Sequence, residues 1–196
     1  MPFIFKGTAI KKLTYQATQC KKHIANGVQV WGAIPEYLFS NGAYDGEYLT
    51  GISNTSINNS AVMLRASQSL NAGSGRVTNT GYSNYMDLDG AATLSFDGYA
   101  QIVGYYQHSL AVTISLEDIN GNTIVVTTFT HNFNTQNGST AETSTPQRFN
   151  ASISDFTGID MSNVRIKLYI DYYASIPWSN WYNSGGAIYI ENIACN

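Results

Sequence analysis

The chain has 196 residues, enough for one domain of ordinary size and a small appendage. Charged residues are 12% and aromatics 13%, while 19 Asn, 19 Ser, 18 Thr and 17 Gly fill 73 positions, a palette that excludes both a helical bundle and a disordered chain. The net charge of −3 divides into five lysines without an acid in residues 1–22 and a net −8 beyond them, which excludes nucleic acid as the ligand of the acidic body.

Asn and Gly supply turn positions and Tyr suits pleated sheets, so the expected class is all-β: an antiparallel, jelly-roll-like β-sandwich preceded by a small N-terminal β appendage. Residues 1–32 read as that appendage. FIFK, IKKLTYQ, CKKHI and VQVW are β-prone, and Asn26-Gly27 signals a two-residue hairpin. A piece this small buries too little to fold alone, so it packs on the body or on a partner. Its lysines have two readings: solvated charges that keep edge strands from aggregating, or contacts to an anionic partner.

A linker is expected over 33–46, with Pro35, Ser40-Asn41-Gly42 and Asp45-Gly46, and a β-sandwich over 47–196. Candidate strands are Tyr48–Ser53, Ala61–Ser67, Tyr82–Leu88, Thr93–Tyr106, Leu110–Ile119, Thr123–His131, Gln147–Ser154, Asn163–Tyr173 and Ala187–Ile193. A hairpin looped at Asn120-Gly121 would pair Leu116 with Val125, Ile114 with Thr127 and Val112 with Phe129. The polar stretch 132–146 lacks periodicity and reads as a mobile loop. Asp118–Asn122 reads as a hairpin turn rather than a calcium loop, because Gly stands fourth and no Glu follows at the twelfth position.

Two stretches resemble a known family. Phe5-Lys6-Gly7, Ile10-Lys11-Lys12-Leu13 and Cys20-Lys21-Lys22-His23 through Val30-Trp31 resemble the short β module that opens phage and prophage tail-associated proteins. Tyr37-Leu38-Phe39-Ser40-Asn41-Gly42, Tyr85–Gly90 and Thr93–Phe96 are similar to the body of such proteins and to jelly-roll carbohydrate-binding modules. The closing strand Ala187–Ile193 is similar to the last strand of those modules. The resemblance implies a virion structural protein, docked through residues 1–32 to other tail subunits and assembled in the bacterial cytoplasm. Single sugar contacts are weak and useful attachment would need several copies, so a homo-oligomer is expected, with a trimer favoured in line with the resemblance.

Sugar recognition needs flat rings and hydrogen-bonding side chains. Pro177–Asn183 supplies Trp178, Trp181 and Tyr182 with Asn180 and Asn183, in what reads as a loop; the same tryptophans could plug one end of the sandwich. Strand 164–173 alternates cleanly, setting Val164, Ile166, Leu168, Ile170 and Tyr172 against Arg165, Lys167, Tyr169, Asp171 and Tyr173. The second set is the other candidate face, with Tyr99 and Gln101 or Tyr189 and Glu191 as possible neighbours. Its alternatives are an ordinary solvated face or a subunit interface. Trp31 is read as packing against the body.

No metal or cofactor is expected. Cys20 and Cys195 lack metal-ligand spacing and are either free thiols or one bridge, and nothing in the spacing of Asp87, Asp89 and Asp97 demands calcium. His23, His108 and His131 fall in no catalytic motif, so a non-enzyme is expected. No apolar run approaches about 20 residues, and the opening apolar run is too short for a secretory signal. The reading is therefore a tail-associated virion protein whose sandwich binds host surface polysaccharide. The alternatives are a carbohydrate-binding module of a polysaccharide-degrading system and a virion component without ligand.

Overall fold

The computed structural model describes residues 34–195 together with 14–15, 18–19, 23–25 and 28–31; side chains are described from residue 34 onward, except at 105, 135–140, 154 and 177–182. The chain divides into two compact units, Met1–Ile34 and Pro35–Asn196. In the first, β1 (Thr14–Tyr15) pairs with β2 (Thr18–Gln19) and β3 (His23–Ala25) with β4 (Val28–Trp31), all antiparallel. Ala25 pairs with Val28. The expected Asn26-Gly27 turn and the side chain of Trp31 lie outside the described residues.

The second unit is all-β and wholly antiparallel. Its strands are β5 (Tyr37–Ser40), β6 (Ala43–Tyr44), β7 (Thr55–Asn58), β8 (Ala61–Tyr82), β9 (Thr93–Asp118), β10 (Thr123–Thr143), β11 (Gln147–Ser152) and β12 (Val164–Cys195). β12 is the centre, with β8 along one side and β9 along the other; β10 and β11 follow on β9, β7 on β8, and β5–β6 at the C-terminal end of β12.

β12 has 32 residues. Drawn straight it would reach roughly 105 Å, more than twice the width of a globule of this size. It bends instead, and its neighbours bend at the same level. Between the pairs Ile176↔Gly73 and Trp181↔Asn71, four residues of β12 stand opposite Ala72 alone. Between Ser175↔Gln107 and Gly185↔Val103, nine stand opposite three of β9. Between Thr135↔Tyr106 and Thr140↔Gly104, four of β10 face one of β9. Positive φ values at Ala72 (54°), Gly73 (96°) and Tyr106 (69°) mark the corner. Strands that switch layers through bends of this kind make a sandwich out of one sheet.

The two halves of the folded sheet face each other. The first layer comprises residues 73–82 of β8, 164–175 of β12, 107–118 of β9 and 123–135 of β10. The second comprises residues 61–71 of β8, 185–195 of β12, 93–103 of β9, 140–143 of β10, and β11. A Cβ on Gly186 of the second layer would stand 2.9 Å from both Leu110 Cδ1 and Tyr172 Cδ2 of the first. The core between them holds Leu110, Val112, Ile114, Leu116, Ile166, Leu168, Ile170 and Tyr172 from one side and Val62, Leu64, Leu94, Phe96, Ile102 and Ile188 from the other, none more than 1% exposed. The alternation expected for 164–173 is the one observed.

Several expected boundaries are corrected. Residues 37–44, expected within a linker, form β5 and β6; Leu38 and Phe39 are fully buried there, because two adjacent large apolar residues can both be covered where a strand closes the end of a sandwich. Thr93–Tyr106 and Leu110–Ile119 are one strand, and the stretch expected as a loop over 132–146 is strand as far as Thr143. Tyr48–Ser53 and Tyr82–Leu88 are largely outside ladders, held by the bridges Ile52↔Ser83 and Met86↔Val164. Asn84 replaces the ladder between them: its Oδ1 accepts from Thr50 N at 2.8 Å and its Nδ2 donates to Tyr48 O at 2.6 Å.

The β9–β10 turn differs from the expected two-residue loop by one position. Leu116 pairs with Ile124 rather than Val125, and a bulge at Val126 restores Ile114↔Thr127 and Val112↔Phe129. Gly121 takes φ 85° and its N–H donates to Asp118 O at 3.0 Å, the geometry of a three-residue loop. The Asp118 carboxylate organises this end. It accepts from Asn122 Nδ2 (2.8 Å), Asn122 N (2.9 Å), Asn120 N (2.9 Å) and Asp160 N (3.2 Å).

Those bonds, the Asn122 side chain first, hold the Asp118 carboxyl below its ordinary pKa despite burial. A depressed folded pKa contributes stability above the unfolded value, about 3.9, and loses it as pH falls through the folded one. Asp118→Asn is therefore expected to be less stable than the parent in urea at pH 7, with the difference shrinking in acid. A difference that does not depend on pH would contradict this role.

Candidate functional site

The outer face of the first layer is set by register. Rows across it include Arg165–Glu117, Asp171–Ala111 and Tyr173–Ser109–Asn132, and β8 lies alongside with Tyr82 opposite Lys167, Thr78 opposite Asp171 and Arg76 opposite Tyr173. The chemistry of these rows changes along the strand. At the loop end, Arg165 pairs with Glu117, Lys167 Nζ lies 3.3 Å from Glu117 Oε2, and the Arg165 guanidinium sits 4.2 Å from the Tyr82 ring centre and 5.1 Å from that of Tyr85. Burial raises the Glu117 carboxyl, and the two cations more than offset it, leaving it below its ordinary pKa. Arg165 and Lys167 are thus engaged within the protein.

In the middle, Asp171 Oδ1 accepts from Arg76 Nε at 2.7 Å; the arginine side chain is 70% exposed and the aspartate 14%. This orders an exposed guanidinium between Tyr169 and Tyr173, which by strand rise are about 13 Å apart. Beside them β9 presents small groups, Thr113, Ala111 and Ser109, which leaves a lane along the tyrosines.

At the corner end the face deepens into a hollow of about 360 Å³ bounded by Tyr173, Ser109, Gln107, Asn132 and Asn134, with His108 and Phe133 also in its lining. Register explains the set. Tyr173, Ser109 and Asn132 form one row across β12, β9 and β10, and Ser175, Gln107 and Asn134 the next. Three carboxamides and a hydroxyl around one phenol ring offer donors and acceptors with no carboxylate, Lys or Arg among them. Beneath it, His108 Nδ1 meets Tyr172 Oη at 2.7 Å with the rings 5.8 Å apart and nearly parallel. Burial pushes the Tyr172 phenol up to about 12, so it keeps its proton at physiological pH. A Cβ on Gly104 would stand 2.4 Å from His108 Cε1, so that glycine is where the corner closes on the imidazole.

The expected site residues are distributed as follows. Tyr169, Asp171 and Tyr173 share the outer face with Arg165. Trp178, Asn180, Trp181 and Tyr182 were expected in a loop, but their backbone belongs to β12 at its corner, with Trp181 opposite Asn71 and Tyr182 opposite Leu70. Residues 177–180 fall inside the register shift between Ile176 and Trp181, where four residues of β12 stand opposite one of β8. Their side chains lie outside the described residues. Asn183 is exposed and its Oδ1 accepts from Ser69 Oγ.

Tyr99, Gln101, Tyr189 and Glu191 belong to the second layer and do not extend the Tyr169 face. Tyr99 and Tyr189 stack at 4.8 Å, with Tyr189 only 7% exposed among Ala61, Ala187 and Met63; its hydroxyl donates to Gln101 at 3.3 Å. Sequence reasoning missed Gln107, Ser109, Asn132 and Asn134, because it broke β9 at 107–109 and ended β10 at His131. Continued alternation from Val112 and from Phe129 was the signal that placed them outward.

Among the described residues no group of three His, Cys, Asp or Glu could hold a metal ion. Asp97 pairs with Arg148 at 2.8 Å, and Asp87 Oδ1 accepts from Asp89 N at 3.0 Å. Cys195 is a free, buried thiol pushed up to about 11 by burial; Cys20 lies outside the described residues. No described helix is long and apolar enough to cross a membrane.

No protein-family model matches the chain, and no curated protein matches it. Among solved structures it is similar to the Gx strain of infectious bursal disease virus, at 19% identity and TM-score 0.39 over 69% of this chain. This chain spans 30% of that viral chain's length. It is similar to a non-crystalline cellulose specific carbohydrate-binding module, CBM28, at 13% identity and TM-score 0.41, over 82% of this chain and 86% of that one. It is also similar to a CBM4 structure, at 10% identity and TM-score 0.30, over 72% and 87%.

Proposed function

We propose that the body is a non-catalytic glycan-recognition sandwich, carried on a tail-associated virion protein that attaches through residues 1–32. The observation that carries the glycan reading is the carboxamide-rich hollow at Tyr173, which has no carboxylate, Lys or Arg in its lining. A sugar presents C–H faces and hydroxyl groups in fixed directions. One half-exposed ring with Gln107, Ser109, Asn132 and Asn134 around it meets both needs without the cost of desolvating an ion. The ordered Arg76–Asp171 pair and the Tyr169 ring extend the same face for a longer saccharide.

The virion setting rests on the resemblance of the opening β module, whose lysine-rich chain suits docking to a partner surface. Single contacts to hydroxyl groups are weak, so several copies of the body, three in the favoured arrangement, would raise avidity through effective concentration.

Affinity electrophoresis of the full chain through gels containing host cell-wall polysaccharide tests the reading. The parent is expected to be retarded. Tyr173→Ala and Asn132→Ala should each relieve retardation about tenfold or more in apparent Kd, as the loss of a stacking or a hydrogen-bonding group implies. Circular dichroism of the variants should match the parent. Folded variants retarded as strongly as the parent would place the site elsewhere.

A further inference from the structure

The outer face of the second layer holds another hollow, of about 460 Å³, bounded by Arg65, Ser67 and Ser69 of β8, Asn183 and Gly185 of β12, and Val103 of β9. Its cause is legible in the register. The row Ser67–Gly185–Val103 has no side chain at its centre, and the row Arg65–Ala187–Gln101 has only a methyl there. The central strand is bare between two flanking strands that are not.

The hollow is biased toward donors. Arg76, Arg148 and Arg165 are each paired with a carboxylate, Asp171, Asp97 and Glu117. Arg65 is exposed and, among the described residues, has no carboxylate partner. Ser69 Oγ donates to Asn183 Oδ1, which engages the acceptor end of the Asn183 amide and leaves its Nδ2 as the donor end. A guanidinium, the Asn183 carboxamide and the Ser67 hydroxyl share this hollow, with no acidic residue in the lining. A planar fork of N–H donors is the natural partner of a carboxylate or sulfate oxyanion.

We propose that this hollow is an oxyanion-selective subsite for acidic polysaccharide, taking the carboxylate or sulfate of a charged sugar. It deepens the glycan-recognition reading and rests on it for the sugar, while its location is separate from the Tyr173 hollow.

Calorimetric titration of the full chain with oligogalacturonate, with its carboxyl-reduced neutral counterpart, and with sodium sulfate alone separates the possibilities. Oligogalacturonate is expected to bind, the reduced form at least tenfold more weakly, and Arg65→Gln to weaken the acidic ligand at least tenfold. Arg65→Lys should recover part of that loss, and Tyr173→Ala should leave the charge preference intact. Sulfate binding that Arg65→Gln abolishes, without oligogalacturonate binding, would overturn the sugar source and leave a simple anion site. Equal affinity for the acidic and reduced ligands, no binding of either anion, or an Arg65→Gln variant that binds like the parent would overturn the subsite. If oligogalacturonate binding depends on Arg65 but no ligand responds to Tyr173→Ala, the subsite stands and the Tyr173 reading fails.

Discussion

Ile170→Ala is expected to destabilise the body by about 3 kcal/mol, from lost transfer energy and the cavity left behind. Ile170 is fully buried on β12, with Val112 beside it on β9 and Asn79 on β8. It lies in the middle of the first layer's inner face, where neither the chain ends nor the corner can collapse inward to fill the space. Against a typical total of about 5–15 kcal/mol this is a large share. It should lower Tm by about 6–12 °C for a chain of this length. Ile170→Val, which removes one methylene, is expected to cost about 1 kcal/mol. Urea denaturation of both gives the comparison. A loss under 1 kcal/mol for the alanine variant would mean that Ile170 does not sit between two packed layers.

Gly186→Ala carries the second large effect, through overpacking. The added methyl would stand 2.9 Å from Leu110 Cδ1 and 2.9 Å from Tyr172 Cδ2, both across the core in the other layer. Tyr172 is fully buried and held by His108, so it has little room to retreat. The expected cost is about 2 kcal/mol. The variant also supplies a test of the layer arrangement. Leu110→Ala removes one of the two obstructing groups, so the double variant should be more stable than the sum of the single losses by about 1 kcal/mol. Strict additivity would show that Gly186 and Leu110 do not meet.

What the sequence discloses about this fold follows from where its signals are local. Strand 164–173 alternates without interruption, so its inner set and its outer set are both legible from the residues alone. The β9–β10 hairpin is legible to within one residue, because Phe129 and Val112 must share a face. The bulge at Val126 absorbs the difference. What is hidden is the folding of long strands across a corner. Asn, Gln, Gly and Ser at 104–109 and 132–140 are turn-formers by composition, yet here they serve extended chain that passes between layers. That same substitution of strand for loop hides the hollow at Tyr173, whose Gln107, Asn132 and Asn134 lie in the stretches that composition assigns to turns. Leu38 and Phe39 are hidden for a different reason: their burial depends on pairing with Ile193, more than 150 residues away in sequence.

The engagement of Arg165 and Lys167 with Glu117 was equally beyond sequence reach. Their partner, Glu117, stands opposite only because β9 and β12 pair in one register. Tyr169 and Tyr173 stand on either side of Asp171, whose carboxylate holds Arg76 beside them.

The most direct test of the account is an NMR titration of the full chain with an oligosaccharide cut from whichever polysaccharide retards it in the gel. The largest backbone amide shifts are expected to fall together on residues 107–109, 132–134 and 173–175, three stretches that meet only in the folded sheet. Shifts absent from all three, with the ligand demonstrably bound, would contradict it.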